Sequence, residues 1–390
     1  MSLETQANSV IISAAKGVDI GAIEKQLASM WSSAGDAPDD KRSGVTRACA
    51  LNLIVYTTPD DNREQLEELL SAVNEQHPGR TLILVTDSEA AAPSLEAYVS
   101  MRCRLMGGTG KQICGEQVTI EARGSLVETA ATAVAPLLVP DVPVFVWWKD
   151  IPHYEDRLFD RLSRMSDRLV IDSAAFDHPG ADLTRLRQMI GSQKRGLRIS
   201  DLNWGRLTSW RSLLASFWDV AAYRPMLASL DQVTIEYRPS PEAPNEVGST
   251  ALLLAGWLSA RLGWQVTAKA PHDDGTRVEF DLKSTDRSLK LVLVRDHTAD
   301  RHDRMISAIT VSATAQSASF SVALRANGTR LETEAKVGSE QSLGRLLAYE
   351  RRSDADRLSR ELSFLSRDTI YEEAVEYAAQ LVAALGNQQP

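Results

Sequence analysis

Apolar positions recur along this chain in two periods, and in its first half the predicted elements alternate. Ile20, Ile23, Leu27 and Trp31 fall at helical spacing, with Asp19 placed to cap them. The polar segment "SSAGDAPDDKRSGVT" (32–46) leads into "ALNLIVYT", a continuous apolar run that predicts a strand buried on both faces. In "DNREQLEELLSAV" the residues Leu66, Leu69, Leu70 and Val73 share one helical face, and Asp61 with Glu64 matches a capping box. "HPGR" punctuates the chain before "TLILVT", a second strand of the buried kind. The stretches "LEAYVSMRCRLM", "GGTG" and "KQICGEQVTIEAR" then predict an antiparallel hairpin of long strands.

A helix is expected from about Ser125 to Leu138, followed by "VPVFVWW", a short β-branched and aromatic strand. Its proline stands near the start, where no ladder donor is needed. Neighbouring side chains on a strand point to opposite faces, so Trp147 and Trp148 cannot enter one core layer. Each either packs under a covering helix or, at the strand's carboxyl end, offers a contact to a partner or metabolite. "YEDRLFDRLSRM" and "LTRLRQMI" predict helices on either side of the strand "RLVIDS". This alternation implies a mostly parallel sheet with helices on both faces, to which the hairpin is an antiparallel addition.

The polar, basic "GSQKRGLR" (191–198) marks a boundary. The expected division is 1–46 as an N-terminal helix and polar loop, 47–195 as an α/β domain, and 196–390 as an α+β domain. In the last of these, Trp210, Leu213, Leu214, Phe217 and Trp218 share a helical face that Thr208 can cap. "TALLLAGWLSARLG" is apolar nearly all round and predicts a buried helix closed by Gly263. From Trp264 to about Glu334 short strands suggest an antiparallel meander, and two helices follow. The fold class is α/β, α+β overall.

Composition adds exclusions. The most apolar stretch, "AVAPLLVPDVPVFVWW", is broken by Asp141 and three prolines, and the amino terminus carries no basic and apolar leader pattern. A soluble, cytoplasmic chain is expected. A net charge of −9 argues against broad nucleic-acid binding. Cys49, Cys103 and Cys114 lack metal-site spacing; they read as buried thiols, or Cys103 and Cys114 meet if antiparallel strands bring them together.

Tests for chemistry fail. "LMGGTGKQ" has Leu105 and Gln112 where a phosphate loop needs glycine and a hydroxyl, and Ile113 where a dinucleotide fingerprint needs its third glycine. His297 and His302 in "RDHTADRHD" fit a solvated loop better than a metal site. No nucleophile carries a recognisable elbow. His77 and Arg80 of "HPGR" form the best candidate for holding an anion such as a sugar phosphate, with a plain turn as the alternative. No catalytic residue, metal or cofactor is assigned.

Taken in order, "RACALNLIVY", "HPGR", "CGEQVTIEARG", "PLLVPDVPVFVWW", "DLNWGRLTSWR" and "AGWLSARLGW" resemble the bacterial OpcA family of glucose-6-phosphate dehydrogenase assembly proteins, from about Arg47 to about Trp264. The resemblance implies a non-catalytic partner that binds the dehydrogenase, promotes its active oligomer and so raises NADPH supply in the oxidative pentose phosphate pathway. Where such proteins respond to redox state, cysteines such as Cys103 and Cys114 are the natural sensors. Interfaces draw their anchors from Trp, Tyr and Arg. The candidate anchors are therefore Trp204, Arg206, Trp210 and Arg211, with Trp204 expected at the surface, and Trp147 and Trp148 as a second patch. The alternatives are a sugar-phosphate enzyme working at "HPGR" and a metabolite sensor.

Overall fold

A computed structural model describes residues 9–12, 16–35, 45–47, 49–105, 112–152, 155–192, 197–240, 243–285, 287–297, 306–325, 328–349 and 352–386. The first half runs β1 (Ser9–Ile12), β2 (Lys16–Gly17), α1 (Ile20–Gly35), β3 (Val45–Arg47), β4 (Asn52–Thr57), α2 (Arg63–Gln76), β5 (Arg80–Asp87), β6 (Ser94–Leu105), β7 (Gln112–Arg123), α3 (Ala130–Val134), β8 (Val144–Trp148), α4 (Arg157–Met165), β9 (Arg168–Ile171), α5 (Pro179–Gly191) and β10 (Arg198–Asp201). The second half runs α6 (Leu202–Arg206), α7 (Thr208–Ser216), β11 (Gln232–Tyr237), α8 (Ser249–Leu262), β12 (Gln265–Val266), β13 (His272–Asp273), β14 (Arg277–Lys283), β15 (Ser288–Arg295), β16 (Ile306–Ala313), β17 (Ala318–Arg325), β18 (Arg330–Val337), β19 (Glu340–Ala348), α9 (Asp354–Leu362) and α10 (Thr369–Gly386).

Two compact units interleave along the chain. One comprises Met1–Ile171, Arg195–Ser200 and Arg352–Arg367; the other comprises Asp172–Lys194, Asp201–Arg351 and Asp368–Pro390. The sequence divides the chain after 46 and after 195, whereas contacts join the first two segments, return α5 to the second unit and α9 to the first. Among the described residues no helix is long and apolar enough to cross a membrane.

The first unit is built on a sheet ordered β1-β6-β7-β5-β4-β8-β9-β10, and β7, β5, β4, β8 and β9 run parallel. From β4 the chain steps outward to β5 and β7, then returns to β8 on the other side of β4. The topological switch therefore lies between β4 and β8. The continuous apolar runs are explained by cover on both faces: every residue of β4 is buried. Trp148 stacks on Tyr56 at 3.6 Å and meets the edge of Phe159 of α4 at 4.8 Å. Trp147, on the opposite face, is equally enclosed, and the two are 0% and 3% exposed. The paired tryptophans are core, so they offer no surface to a partner.

Three local expectations are corrected. The helix over Ser125–Leu138 is instead a 3-10 turn (Gly124–Thr129), the short α3, and a second 3-10 turn (Ala135–Leu137) with Pro136 near its start. Proline removes a helical donor and clashes with the preceding turn, so one continuous helix cannot run through it. The cap of α2 is Asn62, whose side chain accepts from the Gln65 amide, rather than Asp61. Asp61 is turned aside to Thr57 and Lys149. Finally, Leu207 takes the N-cap position of α7 with no side-chain bond, and Thr208 is already helical.

The second unit carries a sheet ordered β12-β14-β15-β11-β16-β17-β18-β19. It is the expected meander with one intrusion, because β11 lies between β15 and β16 and runs parallel to β15. Burial alternates along its strands. Val233, Ile235 and Phe320 point to the helical side, where Phe217, Trp218 and Tyr223 surround the Phe320 ring. The apolar α8 ends at Gly263 with φ of 66°, as its sequence predicts. A Cβ at Gly256 would lie 2.2 Å from the Ala374 carbonyl oxygen, so only glycine lets α8 and α10 approach this closely.

Candidate functional site

In sheets of this kind, ligands bind beyond the carboxyl ends of the strands at the switch. To one side of that switch, beyond the carboxyl ends of β4, β5 and β7, lies an open groove lined by Thr57, Asp61, Arg63, Asp87, Glu121 and Arg123, among others. Most of its charges are matched within the chain. Asp61 bonds to Thr57 and pairs with Lys149, while Arg63 pairs with Glu121 at 3.1 Å and lies over the Tyr98 ring. A bound pyrophosphate would need free backbone amides at the start of α2. Instead Asn62 caps that end, Glu64 sits in its first turn, and no glycine stands between Thr57 and Arg63 to let a phosphate approach. The residues present do not fit a dinucleotide.

The "HPGR" turn is also committed to structure. Arg80 is 4% exposed; its guanidinium bonds Glu116 at 2.7 Å, Glu24 of α1 at 2.6 Å and the Leu137 carbonyl at 2.8 Å. Glu116 in turn accepts from the Trp31 indole at 2.6 Å. This ion cluster pins α1 to the sheet, and an added anion would meet two carboxylates rather than a free cation. His77 is the C-cap of α2; burial lowers its pKa, and its Nε2 has no partner among the described residues. The expectation of an anion site at His77 and Arg80 is therefore corrected: the Arg80 charge is spent on Glu24 and Glu116, and burial disfavours a charge on His77.

The motif "DLNWGRLTSWR" is inward-facing as well. Asp201, 1% exposed, accepts from the Ser173 amide (3.0 Å) and hydroxyl (2.6 Å), the Asn203 amide (2.9 Å) and the Tyr371 hydroxyl (3.1 Å). Burial pushes its carboxyl up to about 6, with Asp172 adding to the rise and the bonds from Ser173 and Asn203 opposing it. Asn203 continues the network to Ser249 and Thr250 at the start of α8. Arg206 grips Asp172 through two bonds of 2.6 and 2.7 Å. Arg211 lies 3.3 Å over the Trp204 ring.

Trp204, expected at the surface, is only 5% exposed, and its indole N–H donates to Asp368. Placement just ahead of a helix left its direction open; the short α6 turns it inward. Trp210 is core at 1% exposure. Of the six proposed anchors, only the two arginines reach intermediate exposure, and both are held by local partners. The residues missed by pattern are Asp201, Ser173 and Tyr371. Only the leading aspartate of the motif hinted at them.

The remaining candidates divide. The hairpin register sets Cys103 opposite Cys114; Cys114 is buried and disulfide-bonded, Cys49 is free, and the Cys103 side chain lies outside the described residues. Of "RDHTADRHD", Arg295 is buried against Asp273, and His302 lies outside the described residues, as does the "GGTG" turn. Among the described residues no three His, Cys, Asp or Glu converge on a metal position.

Two family models match consecutively: the glucose-6-phosphate dehydrogenase subunit N-terminal domain over residues 70–188 and the C-terminal domain of the same subunit over 197–375. The chain belongs to the OpcA family. A putative OxPP cycle protein OpcA of Nostoc punctiforme is 28% identical over 74% of this chain and 62% of its own length. The corresponding protein of Synechococcus elongatus is 32% identical over 58% of this chain and 49% of its own. The chain thus spans about half to three-fifths of these OpcA relatives. A solved myo-inositol dehydrogenase of Lactobacillus casei aligns over 88% of this chain and 96% of its own, at 8% identity and a TM-score of 0.45, which is too slight a likeness to bear on chemistry.

Proposed function

We propose that this chain is a non-catalytic cytoplasmic partner of glucose-6-phosphate dehydrogenase that favours the enzyme's active oligomer. The pair of family models described as subunit domains of that enzyme supports this reading. So does the groove beyond β4, β5 and β7, most of whose charges are paired within the chain. The physical mechanism is differential affinity: a protein that binds the active assembly better than the inactive one shifts the population by that difference. The consequence is greater NADPH supply from the oxidative pentose phosphate pathway. A sugar-phosphate enzyme working through His77 and Arg80 is disfavoured, because the arginine's donors are taken by Glu24, Glu116 and Leu137. The test is dehydrogenase activity titrated with this chain. An activator raises it to a plateau at fixed stoichiometry; turnover of glucose 6-phosphate by the chain alone, or an unchanged dehydrogenase, overturns the reading.

A further inference from the structure

The anchors expected from sequence are held inside the fold, but one stretch of the second unit presents the same side-chain types to solvent. "FWDVAAYRPM" (217–226) joins one 3-10 turn (Phe217–Asp219) to the start of another (Arg224–Ser229). Asp219, Val220, Ala221, Ala222, Arg224 and Pro225 are exposed, while Trp218, Tyr223 and Met226 are half-buried. Val220 is 46% exposed. The backbone is closed on itself: the Tyr223 and Arg224 amides both donate to the Val220 carbonyl, at 3.0 and 3.2 Å, and the Met226 amide donates to the Tyr223 carbonyl at 2.9 Å. Beneath the turn, the Trp218 and Tyr223 rings pack on Phe320 of β17 with centroids 4.9 and 5.1 Å away. The patch is thus fixed before anything binds, which lowers the ordering cost of an interface.

Its polar groups are left over. The Trp218 indole N–H and the Tyr223 hydroxyl have no partner among the described residues. Arg224 donates through Nε to the Trp218 carbonyl at 3.3 Å, and no described carboxylate pairs with its guanidinium. An apolar centre, Val220 to Ala222, is therefore flanked by Asp219 and Arg224, and Trp, Tyr, Met and Arg are the types that interfaces enrich. We propose that this patch docks on glucose-6-phosphate dehydrogenase, an inference that rests on the functional reading above. Its chemistry specifies the facing surface: an apolar depression that takes Val220 and the ring edges, with a carboxylate set against Arg224 and acceptors for the two ring donors. A second copy of this chain is a poorer occupant. In a two-fold pairing the same exposed turn would stand on both sides, and contact would end with these ten residues, short of the roughly 20–30 a side of a stable interface.

Affinity of the full chain for the dehydrogenase, measured by biolayer interferometry with chain mass followed by sedimentation, tests this. Val220→Arg and Arg224→Glu should each weaken binding about tenfold or more. The thermal midpoint should not move, because both positions are exposed. Leu346→Arg, at a comparably exposed apolar position on β19, should bind as the wild type does. If the wild type binds and the two patch variants bind as tightly, the inference is overturned while the functional reading stands. A loss as large for Leu346→Arg overturns it equally. Variants that keep the dehydrogenase but lose self-association overturn it and give the patch to a second copy. A wild type that does not bind the dehydrogenase overturns the inference and the reading together.

Discussion

The two sheets of this molecule treat the same kind of strand differently. In the first unit, β4, β5 and β8 are enclosed on both faces, and even Thr119 of β7 is 1% exposed. In the second, Thr310 of β16 has its side chain on an uncovered face, while Ile309 beside it is fully buried. A fully wrapped sheet can meet another molecule only through its loops and strand ends. A half-wrapped one offers a flat surface of its own. The tryptophans that looked like anchors belong to enclosed layers, and the open face mixes threonine, serine and alanine with Gln232, Glu236 and Lys290, none of them an anchor type.

An identical substitution in each sheet is the sharpest way to break this comparison. Thr119→Arg buries a charge with no partner and should cost several kcal/mol, enough to prevent folding or to remove most of the stability measured by denaturant titration. Thr310→Arg in the other sheet should change stability by less than about 0.5 kcal/mol. Equal losses would mean that the second face is covered too.

The next largest effect is expected in the ion cluster of the wrapped sheet. Arg80→Met leaves Glu116 buried beside Glu24 and should cost about 3–5 kcal/mol, whereas the double variant with Glu116→Leu should recover much of that loss. Chemical denaturation of the single and double variants checks this, and full additivity would refute the cluster's role. A smaller and pH-dependent effect belongs to Asp201. Its folded pKa of about 6 stands above the unfolded value of about 3.9, so the folded state binds the proton more tightly. Its contribution to stability is fully present below about pH 3.9, declines as pH rises, and is lost through about pH 6, a change of about 3 kcal/mol. Asp201→Asn removes that slope between pH 4 and 6; a profile as steep as wild type would show that another group titrates there.

Much of the architecture was legible in the pattern. Continuous apolar runs marked β4, β5 and β8 because strands buried twice have no solvated positions, and Gly263 marked the end of α8 because it adopts φ of 66°. The 3-10 breaks around α3 were hidden, since alanine-rich periodicity looks the same whether or not Pro136 interrupts it. Side-chain direction was less legible still. Trp204 and Arg80 gave no sign of pointing inward, because the partners that hold them, Asp368 for one and Glu24 and Glu116 for the other, lie 36 to 164 positions away in sequence.

By itself, the sequence determined the class of most long elements, though not of β11 or β19, as well as the family and the rejection of phosphate-loop and dinucleotide motifs. Those depend on local periodicity and on residue type at fixed spacing. Only the tertiary structure decided which charged and aromatic residues are spent on the core and which sheet face is left uncovered. Burial is a relation between segments far apart in the chain, and one strand's alternation cannot say whether its second face will meet a helix, a partner or water.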